Sequence, residues 1–90
     1  MIEVKLMLLD EDLRKTLGAK EFAFDLPEGS TIRDLFEAVV SKYNEKTTES
    51  LLKDGMLIVL NGQNIEFLGG ANASLSDGDR VAIIPPLEGG

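Results

Sequence analysis

Cysteine, histidine and tryptophan are all missing from this 90-residue chain. Without cysteine there are no disulfides, thiolate metal sites, iron–sulfur clusters or thiol nucleophiles, and no thioester forms on the domain itself. Without histidine the side chain that moves protons most readily near neutral pH is absent, along with the commonest metal ligand. Carboxylates and lysines remain, but no nucleophile–base pair is visible. The chain is therefore not expected to be catalytic alone, nor to hold a metal. Basic residues are also scarce, nine against sixteen acidic ones, for a net charge of −7. No basic run exists to release counterions from a phosphate backbone, which argues against nucleic acid as a partner. The same charge favours solubility and steers the protein toward basic surfaces. No apolar run approaches the ~18 residues of a membrane span, and the start lacks a basic stretch followed by an apolar one. No membrane partner is expected, and a cytoplasmic location follows by default.

What is present suits one small domain with a single modest core. Ile2, Val4, Leu6 and Leu8 alternate with Glu3 and Lys5, the period of a half-buried strand. Leu13 and Leu17 lie one helical turn apart in a polar stretch that Gly18 would end. Phe22, Phe24 and Leu26 mark a second strand, stopped by Pro27-Glu28-Gly29. Ser30 or Thr31 then caps the one clear helix, and from Thr31 a capping-box carboxylate falls at Asp34. Ile32, Leu35, Phe36, Val39 and Tyr43 form its apolar stripe, with Arg33, Glu37, Ser41 and Lys42 opposite. Residues 44–55 read as a loop anchored by Leu51 and Leu52. Met56 to Leu60 is a continuous apolar run, expected for a strand covered on both faces or nearly so. Asn61-Gly62 predicts a hairpin, with Ile65-Glu66-Phe67 as its short return strand. Asp77-Gly78-Asp79 turns into a closing strand over residues 80–84. Gly69-Gly70 mark a loop and not a phosphate cradle, since no lysine or helix start follows. A hairpin, a helix and more strands make an α+β two-layer fold.

Two of the three prolines stand together near the end, in Pro85-Pro86-Leu87-Glu88-Gly89-Gly90. Paired prolines fix φ and favour an extended path away from the preceding strand. A terminal diglycine puts the α-carboxylate on the least hindered backbone available. The domain is expected over residues 1–84, with residues 85–90 as an extended arm that inserts a bare carboxylate into another protein. Leu87 is the natural anchor for a groove, and Glu88 suits a basic rim. Strand parity gives a docking surface. If Val4, Leu6, Val81 and Ile83 face the helix, then Met7, Leu9 and Ile84 face away from it, joined by Ile65 or Leu60. Apolar residues on a sheet face left to water suggest a partner.

These segments resemble a known family. Leu60-Asn61-Gly62-Gln63-Asn64-Ile65, Leu75-Ser76-Asp77-Gly78-Asp79-Arg80-Val81 and the run from Ile83 to Gly90 are similar to the MoaD/ThiS group of ubiquitin-like sulfur carriers. The opening strand and the Gly-Ser-Thr-Ile-Arg-Asp-Leu helix start match as well, so the resemblance covers essentially the whole chain. The fit is closest to small subunits of molybdopterin synthase and to archaeal small modifier proteins. It implies a β-grasp fold: a mixed sheet of four to five strands, one main helix packed on one face, and the first and last strands parallel at the centre. It also implies that a ubiquitin-activating-like enzyme adenylates the Gly90 carboxylate with ATP and magnesium, none of it bound by this chain. The acyl-adenylate becomes a thiocarboxylate that a molybdopterin synthase large subunit uses to place sulfur in the molybdenum cofactor. In modifiers, Gly90 is instead joined to target-protein lysines. From a different class, a non-covalent β-grasp binding module with an incidental diglycine also remains open.

Overall fold

Alternation in the first seven-residue run sets the architecture. In the computed structural model, which describes residues 1–11, 14–15, 18–42 and 56–85, strand β1 spans Ile2–Leu8. Its even-numbered side chains are buried, and Val4, Leu6 and Leu8 are completely so. Strand β2 (Glu21–Leu26) returns antiparallel to it, Ile2 opposite Leu26 and Met7 opposite Glu21. Between them, Arg14 N–H donates to Asp10 O and Gly18 N–H to Arg14 O, the four-residue spacing of a helical turn. Gly18 leaves it at φ +82°, as a helix-ending glycine does. Leu13 and Leu17 lie outside the described residues.

Helix α1 (Ile32–Lys42) follows the turn after β2. Thr31 is its cap: its N–H donates to Asp34 Oδ2 at 2.8 Å, while Asp34 N–H reaches back to Thr31 Oγ1 at 3.5 Å. Ser30 instead donates its hydroxyl to Pro27 O and closes the turn. Ile32, Leu35 and Val39 are fully buried against the sheet, with Phe36 half-buried beside them. Tyr43 and the 44–55 loop expectation lie outside the described residues.

Strands β3 (Leu57–Leu60), β4 (Gln63–Asn64) and β5 (Arg80–Ile84) complete one mixed sheet in the order β2-β1-β5-β3-β4. β1 and β5 are parallel neighbours at its centre, and β3 is antiparallel to β5. Asn61 and Gly62 both have positive φ, the backbone of a two-residue hairpin turn. That tightness shifts the return strand from its expected place. Leu60 pairs directly with Gln63, so β4 is Gln63–Asn64, and Ile65–Phe67 is a 3₁₀ turn. The Asn64 side chain accepts the Glu66 N–H at 3.0 Å and diverts the chain out of the sheet.

The apolar run at β3 is not covered on both faces. Its pairing puts Ile58 beside Ile83 and Leu60 beside Val81, on the helix side. Leu57 and Val59 alternate onto the opposite face. Leu60 and Ile65 are each 7% exposed and belong to the core with Leu75, Ala73 and the helix stripe. Neither is on the open face where the sequence placed them as partner-interface residues. An unbroken apolar run carries no parity of its own; only pairing with β5 supplies it.

Candidate functional site

The parallel β1–β5 pair delivers the C-terminal ends of both strands to one rim of the sheet. Leu8 pairs with Ile83, and Leu9 N–H donates to Ile83 O at 3.0 Å. β3 begins at the same rim, with Leu57 opposite Ile84. Pro85, half-buried, follows Ile84 directly, so the arm departs where Leu9, Leu57 and Ile84 converge. Pro86, Leu87, Glu88, Gly89 and Gly90 lie outside the described residues.

The sheet face turned away from α1 is apolar near this rim. Met7, Ala82 and Val59 form a row across β1, β5 and β3, and Leu9, Ile84 and Leu57 lie beside it toward the arm. Leu9 is 42% and Leu57 38% exposed, and the other four are half-buried. On the far side of the row, the register sets Lys5 beside Arg80. Lys5 approaches Glu21 at 4.0 Å, an exposed pair worth little in water. The face is thus apolar across β1, β5 and β3 near the arm, with Glu21 beside Met7 at its β2 edge and Lys5 and Arg80 beyond the row. Met7, Leu9 and Ile84 were legible from parity in β1 and β5. Leu57, Val59 and Ala82 were missed; alternation in β3, phased by its pairing with β5, is the signal that finds them.

The Asp-Gly-Asp turn lies at the opposite end and has a structural task. Asp77 Oδ1 accepts the Glu3 N–H at 2.8 Å, and Asp79 Oδ2 accepts the Ser76 N–H at 2.7 Å. Asp79 Oδ1 also accepts from Asn61 Nδ2, and Asn61 Oδ1 accepts the Arg80 N–H. These bonds tie the start of β5 to β1 and to the β3–β4 hairpin, which sets the direction in which β5 releases the arm. Among the described residues no three acidic, histidine or cysteine side chains cluster as metal ligands. A concavity of about 690 Å³ is on the helix side between α1 and Ile58, Ile65 and Ala71. It lies on the face opposite Met7, Ala82 and Val59, and Arg33, Glu37 and Ser41 are its polar side chains among the described residues. No helix among the described residues is long and apolar enough to cross a membrane.

The profile of the ThiS family matches residues 7–90, nearly the full chain. The chain belongs to the ThiS family. Among ThiS-family relatives, the molybdopterin synthase sulfur carrier subunit of Chlamydomonas reinhardtii is 32% identical over 78 residues, covering 86% of this chain and 87% of that one. Small archaeal modifier protein 3 of Haloferax volcanii is 27% identical over 82 residues, covering 86% and 88%. The solution structure of small archaeal modifier protein 1 from Methanosarcina acetivorans superposes with a TM-score of 0.79 at 28% identity, over 100% of this chain and 98% of that one. The fold is the ubiquitin-like β-grasp, as the resemblance implied. The named relatives include both a sulfur carrier and modifiers.

Proposed function

We propose that this protein is a sulfur carrier acting through the Gly90 carboxylate, as the small subunit of a molybdopterin synthase. A free α-carboxylate is ionised at neutral pH and resists nucleophiles, because oxide is too poor a leaving group. A carboxylate oxygen attacks the α-phosphorus of ATP, and pyrophosphate leaves with magnesium. Hydrosulfide then attacks the acyl carbon, AMP leaves, and after loss of a proton a thiocarboxylate remains. Nothing described in this chain is built to bind a nucleotide, so ATP belongs to a ubiquitin-activating-like partner. The synthase large subunit receives the charged arm. Gly89 lets backbone and channel approach closely, while Pro85 and Pro86 reduce the ordering cost of insertion.

The observation that carries this reading is the apolar patch at the root of the arm. Leu9, Leu57 and Ile84 surround the point where the chain leaves β5, so a partner docked there has the tail at its own surface. The sulfur carrier relative, 32% identical over most of both chains, supports the choice of chemistry. A second reading is favoured by the modifier relatives: a lysine amine of a target protein attacks the same acyl-adenylate and forms an isopeptide at Gly90. Incubation with the cognate activating enzyme, ATP and a sulfide source, followed by intact-mass measurement, separates the two. A sulfur-for-oxygen mass gain supports the carrier, and adducts on lysines support the modifier. An unchanged mass overturns both and leaves a non-covalent binding module.

A further inference from the structure

The outer edge of β2 has no part in the reading above. Leu8 N–H donates to Lys20 O at 2.7 Å, and this bond sets the phase of the β1–β2 ladder. In that phase Leu6–Phe22, Val4–Phe24 and Ile2–Leu26 are the hydrogen-bonded pairs. The peptide groups of Glu21, Ala23 and Asp25 therefore point away from β1. β2 is the terminal strand of the sheet, and no hydrogen bond to these three outward peptide groups is found among the described residues. The six-residue strand contains no proline, and its register with β1 is unbroken. Proteins commonly blunt such edges with proline, bulges or lysine. Here the exposed side chains along the edge are Glu21, Ala23 and Asp25, two carboxylates flanking a methyl group.

We propose that this edge accepts an extended basic segment of another protein as an added strand, with lysine or arginine at alternate positions beside Glu21 and Asp25. Main-chain bonds to Glu21, Ala23 and Asp25 give affinity, and the carboxylates select the sign of the partner. A second copy of this chain is the wrong occupant. Two β2 edges paired antiparallel about Ala23 set Glu21 opposite Asp25 twice, and like charges directly opposite destabilise a sheet. Each copy also carries a net charge of −7. Lys5 offsets Glu21 only through an exposed 4.0 Å approach. The edge lies two strands from β5, about 10 Å at the usual strand spacing.

The test uses the full chain, ¹⁵N-labelled, titrated with the peptide acetyl-KVKVKV-amide. Saturable shifts centred on the amides of residues 21–25, with slowed exchange of the Ala23 amide, are expected. Ala23→Pro removes an outward donor without touching the β1 ladder and should weaken binding about tenfold or more. The double variant Glu21→Lys with Asp25→Lys keeps the test decisive should the proline variant fail to fold. It should prefer acetyl-EVEVEV-amide over the basic peptide by about tenfold. The proposal is overturned if β2 amides do not move at millimolar peptide. It is equally overturned if the shifts spread over the whole acidic surface and the charge-reversed variant keeps the original preference.

Discussion

On the proposed reading the chemistry of Gly90 needs no side chain, and its neighbours serve it by what they omit. If the arm is threaded to be adenylated as proposed, any Cβ at Gly89 would crowd the partner channel that receives it. Gly89→Val should therefore nearly abolish ATP-dependent pyrophosphate release by the activating enzyme, while the melting curve of the free domain stays unchanged. A normal rate with valine would mean that the arm is not threaded. Asp79 is the contrasting residue, conspicuous in the sequence beside Gly78 but occupied within the fold. Its carboxylate accepts from both Ser76 N–H and Asn61 Nδ2. Asp79→Ala should cost about 1–3 kcal/mol in urea unfolding, one lost partner for each of two donors. Activation measured well below the denaturation midpoint should be little changed. If activation fell as steeply as in the glycine variant, the turn would belong to the docking surface and not only to the scaffold.

Among the elements, β3 shows how a strand can be located by sequence and still be misread. Alternation in β1, with charged Glu3 and Lys5 between apolar residues, fixes which side faces the helix, and Val4 and Leu6 are indeed fully buried. The cap and stripe of α1 were nearly as legible: of the two candidates Ser30 and Thr31 it is Thr31 that pairs with Asp34, and Ile32, Leu35 and Val39 at three-and-four spacing are fully buried. β3 offered neither contrast nor cap. Met56 to Leu60 is apolar throughout, so its two faces separate only when Ile83 and Ile84 pair with Ile58 and Leu57. The same ambiguity put Leu60 on the wrong side, whereas Ile65 was misplaced because Asn64, a local side-chain cap, ends β4 and turns the chain into a 3₁₀ turn. Two substitutions on one strand pair separate the faces. Ile84→Asp, on the open face, should weaken binding to the activating enzyme about tenfold or more while shifting stability by only about 1 kcal/mol. Leu6→Ala, at 0% exposure, should cost about 2–5 kcal/mol and leave affinity per folded molecule unchanged. Calorimetric titration beside urea melts reads both. An Ile84→Asp protein that unfolds would place that residue in the core.

At the scale of the whole molecule, charge and apolar surface divide the work of association. Sixteen acidic residues against nine basic ones make a field that acts before contact, whereas the apolar row of Met7, Ala82 and Val59 acts only after water is displaced. The open face also carries charge of both signs around that row: Glu21 lies beside Met7, Lys5 and Arg80 lie beyond it, and Glu3 and Asp25 lie farther along. Long-range attraction is screened within about 10 Å at 0.1 M salt, but burial of apolar side chains is not. Raising salt from low to high concentration should therefore slow association with a basic activating enzyme by about tenfold or more. The dissociation rate should change far less, because the contacts that must break are apolar. Stopped-flow association at several ionic strengths reads the first quantity, and chase experiments with unlabelled protein read the second. An association rate indifferent to salt would reduce the net charge to an aid to solubility. A dissociation rate that rose steeply with salt would move the stabilising contacts from the apolar row to Lys5 and Arg80.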